Sequence, residues 1–302
     1  MRVGCTRLKT RLWEIRSDRQ CIDGATRPPT KKGLCNTATL LEILILAVVQ
    51  GVTEWLPISS SGHLVIVQEY LGLGLPVLFD VVLHLGSLLV VLVVFWKDVL
   101  RVLKAVAKLD FKSQDGKLGL YIVLGSIATA AVGFVFRDEF ESYFHNLFAV
   151  GVAFIVTGCF YSLLYASRRD KHQGRPLNAL DAFVIGLAQG VALIPGVSRS
   201  GSTITTGLLL KVEKKDAFRF SFLLFMPAVI GATVLSVMSS DGLFVAMVDP
   251  VSLLIGLVVT VAVGYVFLRL LLRIVLKGRL YLFAYYCWFI GSAVLLAQVL
   301  GL

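Results

Sequence analysis

Charged residues are scarce in this 302-residue chain, at 16% of the sequence against about 25% in soluble domains. Hydrophobic residues make up 57%, and the mean hydropathy is +0.83. This composition excludes an ordinary soluble protein. The five cysteines lack the close spacing of a metal or redox site. A phosphate-binding P-loop motif is also lacking, so nucleotide hydrolysis has no support.

Long apolar stretches are what the sequence has instead. Six of them are near the ~20 residues that span a hydrocarbon core of ~30 Å, at residues 77–96, 118–136, 147–166, 218–237, 251–272 and 280–302. Two more, 40–56 and 179–194, run into proline and then a serine and glycine cluster, unlike a spanning helix. The sequence predicts an all-α polytopic membrane protein with six transmembrane helices and two re-entrant helical hairpins.

The net charge of +10 does not indicate a nucleic-acid partner. Residues 1–38 hold nine Lys or Arg and three Asp or Glu, which supplies +6 of it. This tail is polar and broken by Pro28-Pro29, so we expect it to be disordered. It has no apolar segment typical of a signal peptide. The other charges lie between apolar stretches, as in a membrane domain, which we place at residues 39–302.

The membrane domain contains an internal repeat. A shift of 139 residues aligns two pairs of segments, Gln50-Gly51-Val52 with Gln189-Gly190-Val191 and Ser59-Ser60-Ser61-Gly62 with Ser198-Arg199-Ser200-Gly201. Repeat one covers about residues 40–165 and repeat two about 179–300. Because Lys and Arg collect on the cytoplasmic side, the loop charges predict that the first hairpin enters from outside and the second from the cytoplasm. The two serine-rich tips would then meet inside the membrane.

The first tip, QGVTEWLPISSSGH, brings Gln50, Glu54, Ser59, Ser60 and His63 to membrane depth. Ionisable groups there are costly and usually functional. A structural alternative makes one serine an N-cap and Glu54 a core acid. That alternative leaves the pairing of Glu54 with His63 unexplained, so acid, hydroxyl and imidazole are candidates for chemistry.

The second tip, IPGVSRSGSTIT, places Arg199 among the hydroxyls of Ser198, Ser200 and Thr203. A guanidinium beside a helix N-terminus suits a phosphate group. A snorkelling arginine is the structural alternative, but Arg199 lies too deep in the predicted hairpin for that.

Asp80 and His84 lie four residues apart, on one face of the helix after the first hairpin. We predict that they orient the first tip. The alternative is a structural hydrogen bond from Asp80 to Arg219, its counterpart in repeat two, or to another residue of that repeat.

Three blocks, QGVTEWLPISSSGHL, FDVVLHLGSLL and IPGVSRSGSTI, resemble the undecaprenyl-diphosphate phosphatase family, also called the bacitracin-resistance family. The resemblance covers about residues 38–302. It implies the same six helices with inverted re-entrant hairpins, hydrolysis of a polyprenyl diphosphate carrier for cell-wall or glycan synthesis, and a divalent cation, Mg²⁺ or Ca²⁺. The family's acidic motif maps onto Gln50 and Glu54 as cation ligands. Gln50 in place of an acid removes one carboxylate.

The residues and the resemblance together predict three groups. The catalytic residues are Glu54, Ser60, His63 and Arg199; the diphosphate is bound by Ser59, Ser198, Arg199, Ser200 and Thr203; Asp80 and His84 support them. Attack by Ser60 or by an activated water stays open, with His63 as base or leaving-group acid. We expect a plasma-membrane protein whose partners are the lipid and the bilayer, and homo-oligomer formation is left open. The rival function is a transporter or lipid flippase, which inverted repeats also build.

Overall fold

The computed structural model describes residues 38–73, 75, 77–167, 174–239 and 248–301. The predicted disorder of the basic tail falls almost wholly on residues outside these ranges. Within them the chain forms eleven α-helices, which are α1 Leu40–Thr53, α2 Ser60–Leu71, α3 Val77–Ala107, α4 Gln114–Val135, α5 Arg137–Tyr143, α6 Leu147–Ser167, α7 Ala179–Val191, α8 Arg199–Leu209, α9 Lys214–Ser239, α10 Pro250–Leu276 and α11 Phe283–Leu300.

Six of these helices, α3, α4, α6, α9, α10 and α11, are long and apolar enough to cross a membrane. The predicted number of spans is therefore confirmed. Several boundaries differ from the prediction; for example, α3 continues past Trp96 to Ala107 and α9 begins at Lys214. Hydropathy marks only the apolar part of a helix, whereas Lys, Arg, Leu and Ala all extend a helix into polar surroundings.

The internal repeat is visible in the helices. The shift of 139 residues takes α1 onto α7, α2 onto α8 and α4 onto α10, with ends that agree within a few residues. Each repeat packs its first short helix on the other repeat, since α1 contacts α10 and α7 contacts α4. The α4–α7 crossing needs a glycine at Gly186, because an added Cβ there would overlap the carbonyl oxygen of Gly125.

Both hairpins begin with the same capping box. In repeat one, the Thr39 side chain accepts from the Glu42 amide while Glu42 accepts from the Thr39 amide. Asn178 and Asp181 make the equivalent pair in repeat two. This reciprocal bonding satisfies amide groups that have no partner within the helix. The two hairpins therefore start by the same local mechanism.

The hairpins approach each other from opposite ends of the bundle. Arg219, near the start of α9, lies 2.9 Å from Asp98 late in α3 and 3.1 Å from Asp115 at the start of α4. Since α2 leads into the start of α3 and α8 into the start of α9, the hairpins are joined to opposite ends. The alternative pairing of Asp80 with Arg219 is wrong, because Asp80 accepts instead from the Gln68 amide at 2.8 Å.

Candidate active site at the facing hairpin tips

Ser59 joins the two hairpin tips. Its Oγ accepts from the backbone N–H of Gly196 at 3.1 Å and from that of Gly62 at 3.3 Å, and it donates to the carbonyl of Val197 at 3.3 Å. Its backbone has φ 67°, which few non-glycine residues adopt. Strained backbone of this kind occurs at sites that the surrounding structure fixes.

Glu54 is the centre of the polar network. It is 5% exposed, and Arg199 forms an ion pair with its Oε1. Its Oε2 accepts from Ser60 Oγ at 2.5 Å and Gln50 Nε2 at 3.1 Å, and lies 3.2 Å from His84 Nε2. A buried carboxylate is tolerated only with such compensation.

His84 contacts Glu54 directly. Its Nδ1 lies 2.7 Å from the backbone carbonyl of Asp80, which can only accept a hydrogen bond. Its Nε2 faces the Glu54 carboxylate, which is also an acceptor. Both bonds form together only when the ring carries two protons. His84 then adds a second positive charge beside Glu54.

Arg199 opens helix α8 immediately after its N-cap, Ser198, whose Oγ accepts from the Gly201 amide at 3.2 Å. The guanidinium carbon lies 3.7 Å from the ring centre of Phe225, which holds the planar group from one side. Its Nη2 contacts Glu54, and its buried Nη1 has no hydrogen-bond partner among the described residues. A buried donor left free in this way is rare in proteins and is available to an oxyanion.

A cavity of about 1030 Å³ opens in front of these groups. Its polar end is lined by Glu54, Ser60, Asp80, His84, Ser198, Arg199 and Ser200. Most of its other walls are apolar, with Val81, Phe134, Leu193, Val229 and Leu235 among them. A charged group at one end and a long apolar chain along the rest would both find matching surroundings.

Four predicted site residues are not among the described residues that line this cavity, namely Gln50, Ser59, His63 and Thr203. His63 lies 2.7 Å from the Ser59 carbonyl through Nδ1 and 2.8 Å from Tyr286 Oη through Nε2. Thr203 Oγ1 lies 2.5 Å from Ser221 Oγ. In this structure Ser59, His63 and Thr203 hold the two tips in place, whereas Gln50 donates to Glu54 Oε2 at 3.1 Å.

Comparison with known proteins identifies the family of this chain. Residues 43–293 match the model of the bacitracin resistance protein BacA family. The chain belongs to that family. Relatives named undecaprenyl-diphosphatase include proteins of Halothermothrix orenii, 37% identical over 85% of this chain and 97% of the relative, and Desulfosudis oleivorans, 41% identical over 83% and 96%. An archaeal relative of the same name, from Korarchaeum cryptofilum, is 39% identical over 85% and 98%.

Gln189 is among the buried polar groups of this BacA-family site that sequence reasoning missed. Gln189 lines the cavity, is 1% exposed, and donates to Thr129 Oγ1 at 3.2 Å and the Leu224 carbonyl at 3.3 Å. Its Oε1 has no partner among the described residues. The signal was present, because Gln189 is the repeat counterpart of Gln50.

The residues beside Glu54 fit a divalent cation held partly by substrate. No group of three or more His, Cys, Asp or Glu side chains within the described ranges is placed to hold a metal ion. Mg²⁺, however, often takes only one or two protein oxygens, with phosphate oxygens and water completing its shell. Glu54 supplies a carboxylate, and the buried Oε1 of neighbouring Gln50 has no partner among the described residues.

Proposed function

We propose that this chain hydrolyses undecaprenyl diphosphate to undecaprenyl monophosphate and inorganic phosphate, which recycles the lipid carrier of cell-wall or glycan synthesis. One observation carries the proposal: Arg199 and Glu54, from different hairpins, meet at the polar end of a cavity with largely apolar walls. The shared name of the relatives, undecaprenyl-diphosphatase, supports the substrate and the reaction.

The diphosphate binds at the start of α8. Arg199 offers its free Nη1, and the N-terminus of an eleven-residue helix adds unpaired amide groups and positive potential. The hydroxyls of Ser198 and Ser200 line the same end of the cavity. These groups stabilise the negative charge that phosphoryl transfer places on the equatorial oxygens.

Ser60 is the nucleophile in this proposal. Its Oγ attacks the terminal phosphorus while Glu54, 2.5 Å away, accepts the hydroxyl proton. The bond between phosphorus and the bridging oxygen breaks, and the polyprenyl monophosphate leaves. Water then attacks the phosphoseryl group and releases inorganic phosphate, and Ser60 regains its proton.

Substrate binding activates Glu54 for this role. In the free enzyme Arg199 forms an ion pair with Glu54, and this contact stabilises the carboxylate. An incoming diphosphate competes for Arg199 and removes part of that stabilisation. Glu54 therefore becomes a better proton acceptor when the phosphate is in place.

A divalent cation, Mg²⁺ or Ca²⁺, would be held by Glu54 and Gln50. When bound, it would offset the negative charge of the diphosphate. His63, which we predicted as a base or acid, instead holds the carbonyl of Ser59 and the hydroxyl of Tyr286 in this structure. Its contribution is to keep the first tip in position.

The reaction takes place at the side of the plasma membrane that faces α5. Arg137 and Glu141 of this helix line the mouth of the cavity. The segment 137–141 has three acids and one base, which is typical of an outside loop. With this orientation the first hairpin enters the membrane from outside and the second from the cytoplasm.

Phosphate release from purified protein tests the function. We expect detergent-solubilised protein to release phosphate from undecaprenyl diphosphate with Mg²⁺ present, and Arg199→Lys to reduce kcat/KM by at least about 100-fold because a lysine cannot replace the two-pronged contact. Absence of release by the unmodified protein would contradict the proposal. Movement of a fluorescent polyprenyl lipid across vesicles without release would favour the flippase.

A further inference from the structure

The cavity extends beyond the hairpin tips, between α4 and α9. These helices start at the same end of the bundle, where Arg219 contacts Asp115 at 3.1 Å. They are still close at Gly125, where an added Cβ would lie 3.0 Å from Leu224 Cδ1. Farther along, residues of both helices line the cavity, among them Ala130, Gly133 and Phe134 of α4 and Gly231, Ala232 and Leu235 of α9.

This part of the cavity reaches the surface of the bundle. Phe134 is 66% exposed and Leu235 45% exposed, yet both line the cavity. We call the space between Ala130–Phe134 and Gly231–Leu235 the α4–α9 groove. A groove that reaches the surface suits a chain that continues into the surrounding lipid.

Equivalent positions of the two repeats give the cavity one polar side and one apolar side. The shift that pairs Gln50 with Gln189 pairs Glu54 with Leu193. Leu193 lines the same cavity as Glu54 and lies against Gly133, where an added Cβ would be 3.0 Å from Leu193 Cδ1. Repeat one thus contributes an acid where repeat two contributes an apolar side chain.

Gly231 lines the groove without a side chain. A Cβ built on it meets nothing within 4 Å, so the glycine leaves open space beside the cavity. It lies six residues after Phe225, which packs on Arg199, and this corresponds to about 9 Å along the helix at about 1.5 Å per residue. That distance lies past the diphosphate and within reach of the first units of its chain.

We propose that the α4–α9 groove holds the isoprene units next to the diphosphate and that Gly231 is a specificity-determining residue for this chain. The inference rests on the proposed function. The free Nη1 of Arg199, in the same cavity, independently indicates an anionic group at its polar end. Lipid tails are as apolar as the groove, so the shape of the groove, more than hydrophobic burial, selects the polyprenyl chain.

A bulky side chain at Gly231 tests the proposal, with a neighbouring position as control. Gly231→Phe fills the groove, and we expect KM for undecaprenyl diphosphate to rise by at least about ten-fold with kcat changed less than about two-fold, because binding and not chemistry is impaired. Ile230→Phe adds a ring to the same helix at a residue that is 50% exposed and is not among the described cavity-lining residues. It should behave as the unmodified protein.

Product inhibition provides a second measurement. Gly231→Phe should raise the inhibition constant of undecaprenyl monophosphate and leave that of inorganic phosphate unchanged, because inorganic phosphate has no chain. If Gly231→Phe is not monodisperse by size-exclusion chromatography, the smaller Gly231→Leu takes its place, with Ile230→Leu as its control.

The outcomes separate the two proposals. Equal KM values for Gly231→Phe and Ile230→Phe would overturn the groove proposal and leave the phosphatase proposal intact. An equal rise in the inhibition constants of undecaprenyl monophosphate and inorganic phosphate would do the same. No phosphate release by the unmodified protein would overturn both.

Discussion

Arg199 and Glu54 are 145 positions apart in the chain, yet their side chains form an ion pair that joins the tips of two hairpins. Neither hairpin supplies both charges. Repeat one contributes the acid and the Ser60 hydroxyl, and repeat two contributes the guanidinium and the start of α8. The site exists only because the two repeats bring their tips together.

Removing the guanidinium should destabilise the protein. Arg199→Met leaves Glu54 buried without one of its cationic partners, which typically costs about 3–5 kcal/mol. Arg101→Met, which removes an exposed pair with Asp98, should cost less than about 1 kcal/mol. Thermal unfolding in detergent measures both. Adding Glu54→Gln to Arg199→Met should recover part of the loss, and no recovery would show that the charge of Glu54 is not what destabilises the variant.

Ser60→Ala should lower kcat by at least about 1000-fold, because it removes the attacking hydroxyl. Ser61→Ala, the adjacent serine, is the control and should retain most of the activity. Acid quenching during turnover, followed by mass spectrometry, should detect phosphate on Ser60. If product forms during turnover but Ser60 carries no phosphate in the quenched samples, water attacks the phosphorus directly.

Ser59→Ala should lower the unfolding temperature more than an ordinary loss of a helix cap. Ser59 accepts from two buried amides, and each amide left unsatisfied costs about 1–3 kcal/mol. Ser113→Ala is the matched control, because Ser113 caps α4 with one accepted bond from Gly116, typically worth about 1 kcal/mol. Equal shifts for both variants would mean that Ser59 does not join the tips.

Asp181→Asn should loosen the start of the second hairpin. Asp181 accepts from Arg175 Nη1 at 2.6 Å and Nη2 at 2.7 Å in addition to its capping box. These bonds raise the pKa of Arg175 above its ordinary value, so their contribution is present at neutral pH and is lost as the pH rises through that raised pKa. Glu42→Gln, in the equivalent box of repeat one, is the control. The Asp181 variant should unfold at a temperature a few degrees lower than the Glu42 variant, and the reverse order would contradict the assignment.

Local patterns were enough to predict the six spans and to single out Glu54, Ser60 and Arg199. Hydropathy detects apolar length, and a charged residue at membrane depth is conspicuous in any sequence. The role of the two histidines could not be predicted in the same way. His63 is near Ser60 in the sequence but turns to Tyr286, whereas His84 on α3 reaches Glu54. Which histidine contacts Glu54 depends on how α3 is rotated against the first hairpin. The spacing of residues along one helix does not reveal that rotation.

The sequence also could not predict that equivalent residues of the two repeats have different hydrogen-bond partners. Gln50 and Gln189 occupy the same position in their repeats, but Gln50 bonds Glu54 whereas Gln189 reaches Thr129 on α4. Thr129 lies in a largely apolar stretch of α4 and belongs to no recognisable motif. Its role follows from the packing of α7 on α4, which brings the two side chains together.

The most direct test of the central claim, that the two tips form one phosphatase site, is a double-mutant cycle measured by phosphate release from undecaprenyl diphosphate. It compares kcat/KM for Glu54→Gln, Arg199→Lys and the double variant. Residues that act as a unit are strongly non-additive, so the double variant should be about as active as the poorer single variant. Losses that multiply in the double variant would show that the two residues act independently and would contradict a shared site.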